Sequence, residues 1–322
     1  MRLFCSWLYV SNSEVRKGGV GMITFDKNGD AIKYEMIMKG TRRNCGGGRT
    51  PWNTWVSCEE FQNEGQVYEV DPYIGITSQQ MTVLGGTGGT YESFAYDARN
   101  SDNLTFYVTN DSQNGALLRF TPDPLVLAKA KTTGYYGSLL LSKGKMEWLI
   151  LEPKTYDSSA TSGTFRWTTS RGEGGHNANR YYAFSEGIDI RDGFLFFTCK
   201  KMTSLFILNL DDFTYTRSST KSGKFEGQPD TIVRIIDKND LGDMLYFCED
   251  GQKQCGIHAK DRNNKYYTIL EGAAQYAGDE TTGLAFSPDN KRLYVCFQKS
   301  GTLYEISRKD GHPFGADHIS VK

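Results

Sequence analysis

A short strand motif that returns seven times constrains this chain more than any other feature. A glycine or other small residue followed by alternating apolar residues appears as GMITFD (21–26), GQVYEVD (65–71), GALLRFT (115–121), GTFRWT (163–168), TSLFILNL (203–210), GIHAKD (256–261) and GTLYEIS (301–307), at intervals of 40 to 53 residues. That period is the size of one four-stranded blade of a β-propeller. Most copies follow a second strand that ends in polar residues: LYVSNS, TWVSCEE, TFYVTND, LFFTCKK, LYFCEDG and LYVCFQK. Each such pair makes a β-hairpin. Several hairpins are led by a third short strand with an acidic start, as in YESFAYD, SEGIDI, QPDTIVRI and DETTGLAFS, and the last runs into the turn SPDNKRLYV.

The pattern predicts an all-β chain forming a single β-propeller domain over residues 1–322. Six blades are expected, with seven as the alternative, since one hairpin divided between the termini can close the ring. A β-sandwich fits less well, because its turns come about every 8–12 residues without a longer period on top. Helix is a minor component, with DPLVLAKAK (123–131) its best short candidate. Abundant glycine (35), scarce proline (8) and 13% aromatics agree with short strands joined by tight turns.

A formal net charge of −1 gives no basic field to attract nucleic acid or an anionic membrane, and neither is expected as a partner. No apolar run reaches the roughly eighteen residues of a membrane span. The start, MRLFCSWLYVSNSE, is too short and strand-like for a secretory signal, so the protein is expected to be intracellular or to have lost a leader. The seven cysteines, Cys5, Cys45, Cys58, Cys199, Cys248, Cys255 and Cys296, show no CxxC pair or Cys/His zinc spacing. Cys248 and Cys255 bracket a hairpin loop, CEDGQKQC, where a disulfide is one option. Asn103-Leu-Thr and Asn110-Asp-Ser are glycosylation triplets and hint at secretion.

In a propeller the innermost strand of each blade lines a central channel, and residues at its entrance face one mouth. Those positions carry Glu92, Glu186, Asp230 and Glu280. The second strands end toward the same face with Cys58, Glu59 and Glu60, with Asn110 and Asp111, with Cys248, Glu249 and Asp250, and with Lys200 and Lys201. Carboxylates gathered this closely stay ionised only with cations between them. Oxygen-rich clusters suit calcium, and a thiolate added to carboxylates points to a transition metal. The two lysines suit an anionic substrate. Trp52 and Trp55 read as packing residues, Gly46 to Gly48 as a flexible turn, and His176, in the loop RGEGGHNAN, and His258, on a strand, as ordinary polar residues.

The stretch NCGGGRTPWNTWVSCEE (44–60) resembles the signature of the PhoX family of calcium-dependent alkaline phosphatases, in which a cysteine, a glycine run, TPWGTW and CEE follow in the same order. YESFAYD, FYVTNDSQNGALLRFTP, FSEGIDI, QPDTI with LYFCEDG, and ETTGLAFSPDNKRLYVCFQKSGTLYEI resemble further family motifs, so the likeness runs from about residue 20 to residue 307. It implies a propeller holding Fe(III) and Ca2+ at the channel mouth and hydrolysing small phosphate monoesters outside the cytoplasm, in the periplasm or beyond the cell. By motif, Cys45, Glu60, Glu92 and Glu186 correspond to iron ligands or to residues bridging iron and calcium. Glu59, Asp111, Asp230, Glu249, Asp250 and Glu280 are further candidates around the calcium ions.

The chain departs from the family at two places. A threonine-glutamate-aspartate motif appears as Thr109, Asn110 and Asp111, and Phe184 stands where an arginine would clamp phosphate. Lys200, Lys201, Arg43 or Arg49 are the cations able to replace it. The expected function is a metal-dependent phosphomonoester hydrolase. The rivals are a metal-dependent lactonase or phosphotriesterase-like propeller, and a propeller that only binds or supports.

Overall fold

The computed structural model describes residues 6–155, 157–235, 243–251 and 254–315. Three strands open the chain, β1 (Trp7–Ser13), β2 (Gly18–Phe25) and β3 (Ala31–Thr41), paired antiparallel in that order. A 13-stranded sheet follows, holding β4 (Asn44–Arg49), β5 (Trp55–Gly65), β6 (Val67–Val70), β7 (Gln80–Met81), β8 (Gly89–Asp97), β9 (Thr105–Asn110), β10 (Leu118–Pro122), β11 (Gly144–Pro153), β12 (Ser162–Thr168), β13 (Ser185–Arg191), β14 (Phe194–Cys199), β15 (Ser204–Asn209) and β16 (Thr214–Ser219). Its order is β13-β14-β15-β16-β12-β11-β10-β9-β8-β5-β6-β7, with β4 also on β5. Then come a four-stranded sheet, β17 (Gln228–Ile235), β18 (Met244–Asp250), β19 (Gly256–Asp261) and β20 (Tyr266–Glu271), and a three-stranded one, β21 (Thr281–Phe286), β22 (Arg292–Phe297) and β23 (Thr302–Ser307). Every strand quoted from the repeat is a strand in the structure.

Burial explains why the repeat reads as it does. In the hairpins at the centre of each unit the second strand is enclosed on both faces: all six residues of β9, TFYVTN, are buried, as are the first six of β18, MLYFCE. The outer strands β16 and β23 are largely half-buried or exposed, Tyr215 being the one buried residue between them. Two compact units emerge, one of residues 6–197 with 206–217 and one of 198–205 with 218–315. In the first, Val56, Leu84, Phe94, Phe106, Val108 and Phe120 pack together, with Phe94 stacked on Phe106 at a centroid distance of 6.0 Å. In the second, Tyr246, Ile257, Leu284, Leu293 and Val295 form the core.

Two helices interrupt the strands. α1 (Pro124–Thr133) covers the expected segment, with Asp123 capping its first turn and Gly134 left-handed at its end. α2 (Arg171–Tyr181) corrects the loop reading of RGEGGHNAN. Ser170 caps it by accepting from the Glu173 amide, and Asn177 fastens it to β11 through the amide and carbonyl of Leu151, at 2.8 and 3.0 Å. A Cβ at Gly174 would lie 2.5 Å from the Trp148 Cβ, so glycine is what lets the helix lie this close to β11. Cys248 and Cys255 are both free thiols, which removes the disulfide option, and Cys5 lies outside the described residues. Among the described residues, no helix is long and apolar enough to cross a membrane.

Candidate metal centre

In the first unit the strand ladders break where the candidate side chains sit. The β4–β5 register shifts between Asn44 and Gly47, at Cys45; the β8–β9 register shifts between Tyr91 and Phe94, at Glu92; and the β5–β8 register shifts just past Glu60. A bulge turns a side chain away from the regular alternation, which is how neighbouring strands aim several groups at one point. Cys45 Sγ donates to Glu92 Oε1 at 2.9 Å and lies 3.7 Å from Glu14 Oε2. Glu14, Cys45 and Glu60 offer ligand atoms all within 4.8 Å of one another, and so, as a pair, do Glu92 and Glu186.

The glycine run has a steric cause. On β4, a Cβ at Gly46 would fall 2.3 Å from the Glu92 carbonyl oxygen, one at Gly47 2.2 Å from the Val56 carbonyl oxygen, and one at Gly48 2.4 Å from the Phe94 carbonyl oxygen. The run is therefore a strand pressed between β5 and β8, and this close approach holds Cys45 against Glu92. Asn12 locks it from the far side, donating through Nδ2 to the carbonyls of Cys45 (2.8 Å) and Gly46 (2.5 Å). Trp55 Nε1 donates to Asn12 Oδ1 at 3.0 Å, and Trp52 Nε1 donates to the buried Glu69 at 2.7 Å, so both tryptophans brace the turn with rings and N–H groups alike.

Arg43 supplies the positive charge of this cluster. Its guanidinium pairs with Glu14 at 2.7 Å and Glu60 at 3.4 Å. Its backbone is left-handed, φ 41°, and is clamped there by hydrogen bonds from its amide to Val15 and from the Glu60 amide to its carbonyl. Burial, with the Glu14 carboxylate beside it, pushes Glu60 up to about 7, against the pull of Arg43. Asp111 adds to that push, and its amide donates to the Thr90 carbonyl at 2.8 Å.

Other residues of this region do structural work. Glu59 accepts the amides of Arg42 (2.7 Å) and Gln66 (2.9 Å), and so serves the backbone around the turn. Cys58 is enclosed and burial pushes its thiol up, the mark of a packing residue. Asn110 is buried, with Oδ1 accepting from the hydroxyls of Thr90 and Ser112, which is no place for a glycan; the exposed Asn103 keeps the only accessible triplet of the two. Phe184 is left-handed, φ 60°, with its amide donating to Ser112 O, and the Thr109 hydroxyl donates to the Glu186 carbonyl.

The second unit carries its own acidic group. Its innermost strand β17 also bulges between Pro229 and Ile232, at Asp230. Asp230 and Glu280 share a hydrogen bond; burial first and the Asp230 charge next push Glu280 up to about 11, with Asp250 adding and Lys200 opposing. Lys200 pairs with Asp250 at 3.3 Å, whereas Lys201 sits exposed in the turn after β14. Glu249 is engaged otherwise: one oxygen accepts the amides of Glu226 and Gly227, and the other meets His258 Nε2 at 2.9 Å. His258 in turn stacks on Phe225, centroids 4.3 Å apart.

Cys45, Glu60, Glu92 and Glu186 all belong to the first unit, with Asp111 close by, while Asp230, Asp250 and Glu280 gather in the second. Glu14 is the residue that sequence reading missed. Its signal was present, since it follows LYVSNS as Glu59 and Glu60 follow TWVSC.

The donor sets fit the metals the family implies. A thiol beside carboxylates suits a transition ion in the first unit, and the all-oxygen group of the second suits calcium. Both groups hold protons that a cation would displace.

The model of the family described as alkaline phosphatase PhoX matches residues 24–103, the span holding Cys45, Glu59, Glu60 and Glu92. Among solved structures the chain is similar to Pseudomonas fluorescens PhoX in complex with vanadate, a transition state analogue, with 14% identity and a TM-score of 0.65 over 92% of this chain and 80% of that one. It is also similar to an auxiliary nutrient binding protein from Bacteroides ovatus, with 10% identity and a TM-score of 0.54 over 91% of this chain and 64% of that one. Among curated proteins the comparison finds no match. At such identities the structural likenesses speak for the fold, which is all-β and propeller-like. Residues 24–103 thus carry the sequence pattern of the PhoX alkaline phosphatases, in a chain that folds as the solved PhoX does.

Proposed function

We propose that the protein is a metal-dependent phosphomonoester hydrolase of the PhoX type, built on a propeller of six blades. One observation carries the reading: Cys45, Glu60 and Glu92, all inside the span that matches the family, meet with Glu14 in a thiol–carboxylate cluster, Cys45 Sγ lying 2.9 Å from Glu92. Cys45, Glu14, Glu60, Glu92 and Glu186 would hold Fe(III), and Asp230, Asp250 and Glu280 would hold Ca2+. A metal ion held by the first-unit cluster would supply positive charge against the phosphate oxygens as charge builds in the transition state.

The chain's own residues do the rest. Arg43, kept at the cluster by its clamped backbone, presents the planar donor that a phosphate accepts in bidentate fashion, and so takes the part of the arginine replaced by Phe184. Lys200 and Lys201 are the second unit's cations for an anionic ester. The bulges at Cys45 and Glu92 fix the ligand atoms before substrate arrives. The substrate class is a small phosphate ester, and the location implied by the family is the periplasm or the outside of the cell.

The test is hydrolysis of p-nitrophenyl phosphate by metal-replete protein, run beside a lactone and a phosphotriester. Phosphatase turnover that a chelator abolishes, and that falls at least about 100-fold in Glu186→Ala and Cys45→Ser, is expected. Full activity in both variants, or turnover of the lactone or triester alone, refutes it.

A further inference from the structure

A cavity of about 610 Å3 lies in the first unit beside the cluster, between α2 and strands β8 to β11. We infer that this cavity holds the alcohol part of the ester and selects a flat ring. The inference rests on the phosphatase reading for the word ester, while the ring preference stands on the cavity itself.

The cavity and the cluster share walls. Thr90, which lines the cavity, pairs in register with Glu60; Tyr91 lines it one residue before Glu92; and Asn110 lines it one residue before Asp111. The cavity wall is therefore built on the strands that carry Glu60 and Glu92, with Thr90 and Glu60 directly opposite each other in the ladder. The volume is that of a pocket for an organic ligand and far exceeds a phosphate alone.

Its lining names the chemistry. Leu84, Tyr91, Leu118, Met146 and Trp148 give an apolar surface with an indole face and a thioether, which suits a planar ring. The side-chain amides of Gln62, Asn110 and Asn114 offer donors and acceptors to a ring edge. Among the described residues no carboxylate lines it, and its lining includes His176 and the guanidinium of Arg171. That guanidinium is fixed by donating to the Thr87 hydroxyl and to the Gly88 carbonyl, the latter at 2.8 Å, so the rim loop is tied to α2. Such a lining rewards a ring and gives little to a small polyol such as glycerol.

The experiment uses metal-loaded full-length protein and two readouts. The first is binding of 1-naphthol, the free alcohol, followed by tryptophan fluorescence. The second is the ratio of kcat/KM for 1-naphthyl phosphate to that for glycerol 2-phosphate. Gly172→Phe is the main variant, because Gly172 lines the cavity and a Cβ there meets nothing within 4 Å, so bulk is added without a clash. Trp148→Ala is the second.

Saturable naphthol binding by the wild type, lost in Gly172→Phe, and a kcat/KM ratio lowered about tenfold in both variants are expected. Naphthol binding that is absent from the wild type or unchanged in Gly172→Phe overturns the inference, as does a ratio near one in the wild type. Naphthol binding without turnover of any phosphate overturns the enzyme reading and the leaving-group role with it, while the binding arm still decides the ring preference.

Discussion

Replacing Gly46 by alanine tests the fold and the candidate centre together. The added methyl would lie 2.3 Å from the Glu92 carbonyl oxygen and 2.4 Å from Ser93 Oγ. The first of these is backbone and cannot swing aside. Ordinary contact begins at 3.4 Å, so β4 and β8 must part by 3.4 − 2.3 = 1.1 Å. That shift carries the neighbouring Cys45 with it, and its 2.9 Å contact with Glu92 stretches beyond hydrogen-bond length.

Overpacking of this kind costs about 1–3 kcal/mol, and the loosened contacts of Cys45 and Asn12 add about 1 kcal/mol. The sum, roughly 2–4 kcal/mol, lowers the melting temperature by roughly 3–6 °C, since unfolding entropy of about 2.1 cal/mol/K per residue over 322 residues makes each kcal/mol worth about 1.5 °C. The assay is thermal denaturation of Gly46→Ala beside Gly172→Ala, a helical glycine whose Cβ meets nothing and whose replacement is neutral or slightly stabilising. Metal content measured on the same samples reads the second effect, and Gly46→Ala is expected to bind less transition metal than Gly172→Ala. A Gly46→Ala protein that melts within about 1 °C of wild type with full metal content refutes the reasoning, because the glycines would then answer to no steric demand.

Further outcomes follow from the second unit. Glu280, ordinarily near 4.5, is raised to about 11 by burial and Asp230, so the metal-free fold keeps a proton that the unfolded chain loses above pH 4.5. Its contribution to stability is full below that pH and drains away as pH climbs toward 11. Chelator-treated wild type should therefore lose more melting temperature between pH 5 and pH 9 than Glu280→Gln, and calcium should reverse the difference; parallel profiles would count against it. Glu249→Ala strips the amides of Glu226 and Gly227 and the ring of His258 of their acceptor inside the core, a cost of about 2–4 kcal/mol readable by urea denaturation. A loss below about 0.5 kcal/mol would show that water replaces the carboxylate there. Asn110→Asp keeps the two hydroxyl donors and adds a charge beside Asp111, so it should raise cation affinity at the cluster, measured by calorimetry.

The strands were legible because hairpin pairing leaves a two-residue alternation that survives in every copy of the repeat, from GMITFD to GTLYEIS. β4 was harder to read, since three glycines carry no strand preference and only the neighbours β5 and β8 impose the extended form. α2 was hidden for the same reason: Gly172, Gly174 and Gly175 are poor helix formers, and the packing on Trp148 together with Asn177 outweighs them. At the candidate centre, the run of carboxylates at equivalent points of the repeat was visible, but which of two adjacent acids turns inward was not. Glu59 and Glu249 serve backbone amides while Glu60 and Asp250 face the charged groups, a choice made by bulges that leave no mark in residue spacing.

The pairing of strands with their neighbours in the chain bears on how the molecule is made. The sheet β17–β20 lies within residues 228–271 and β21–β23 within residues 281–307, so each closes only short loops, whose entropic cost is small. During synthesis a growing chain can complete one such sheet before the next has left the ribosome, and little unpaired edge waits exposed for a stray partner. The longer closures, β5 to β8 and β12 to β16, fall in the first unit, so its assembly sets the pace.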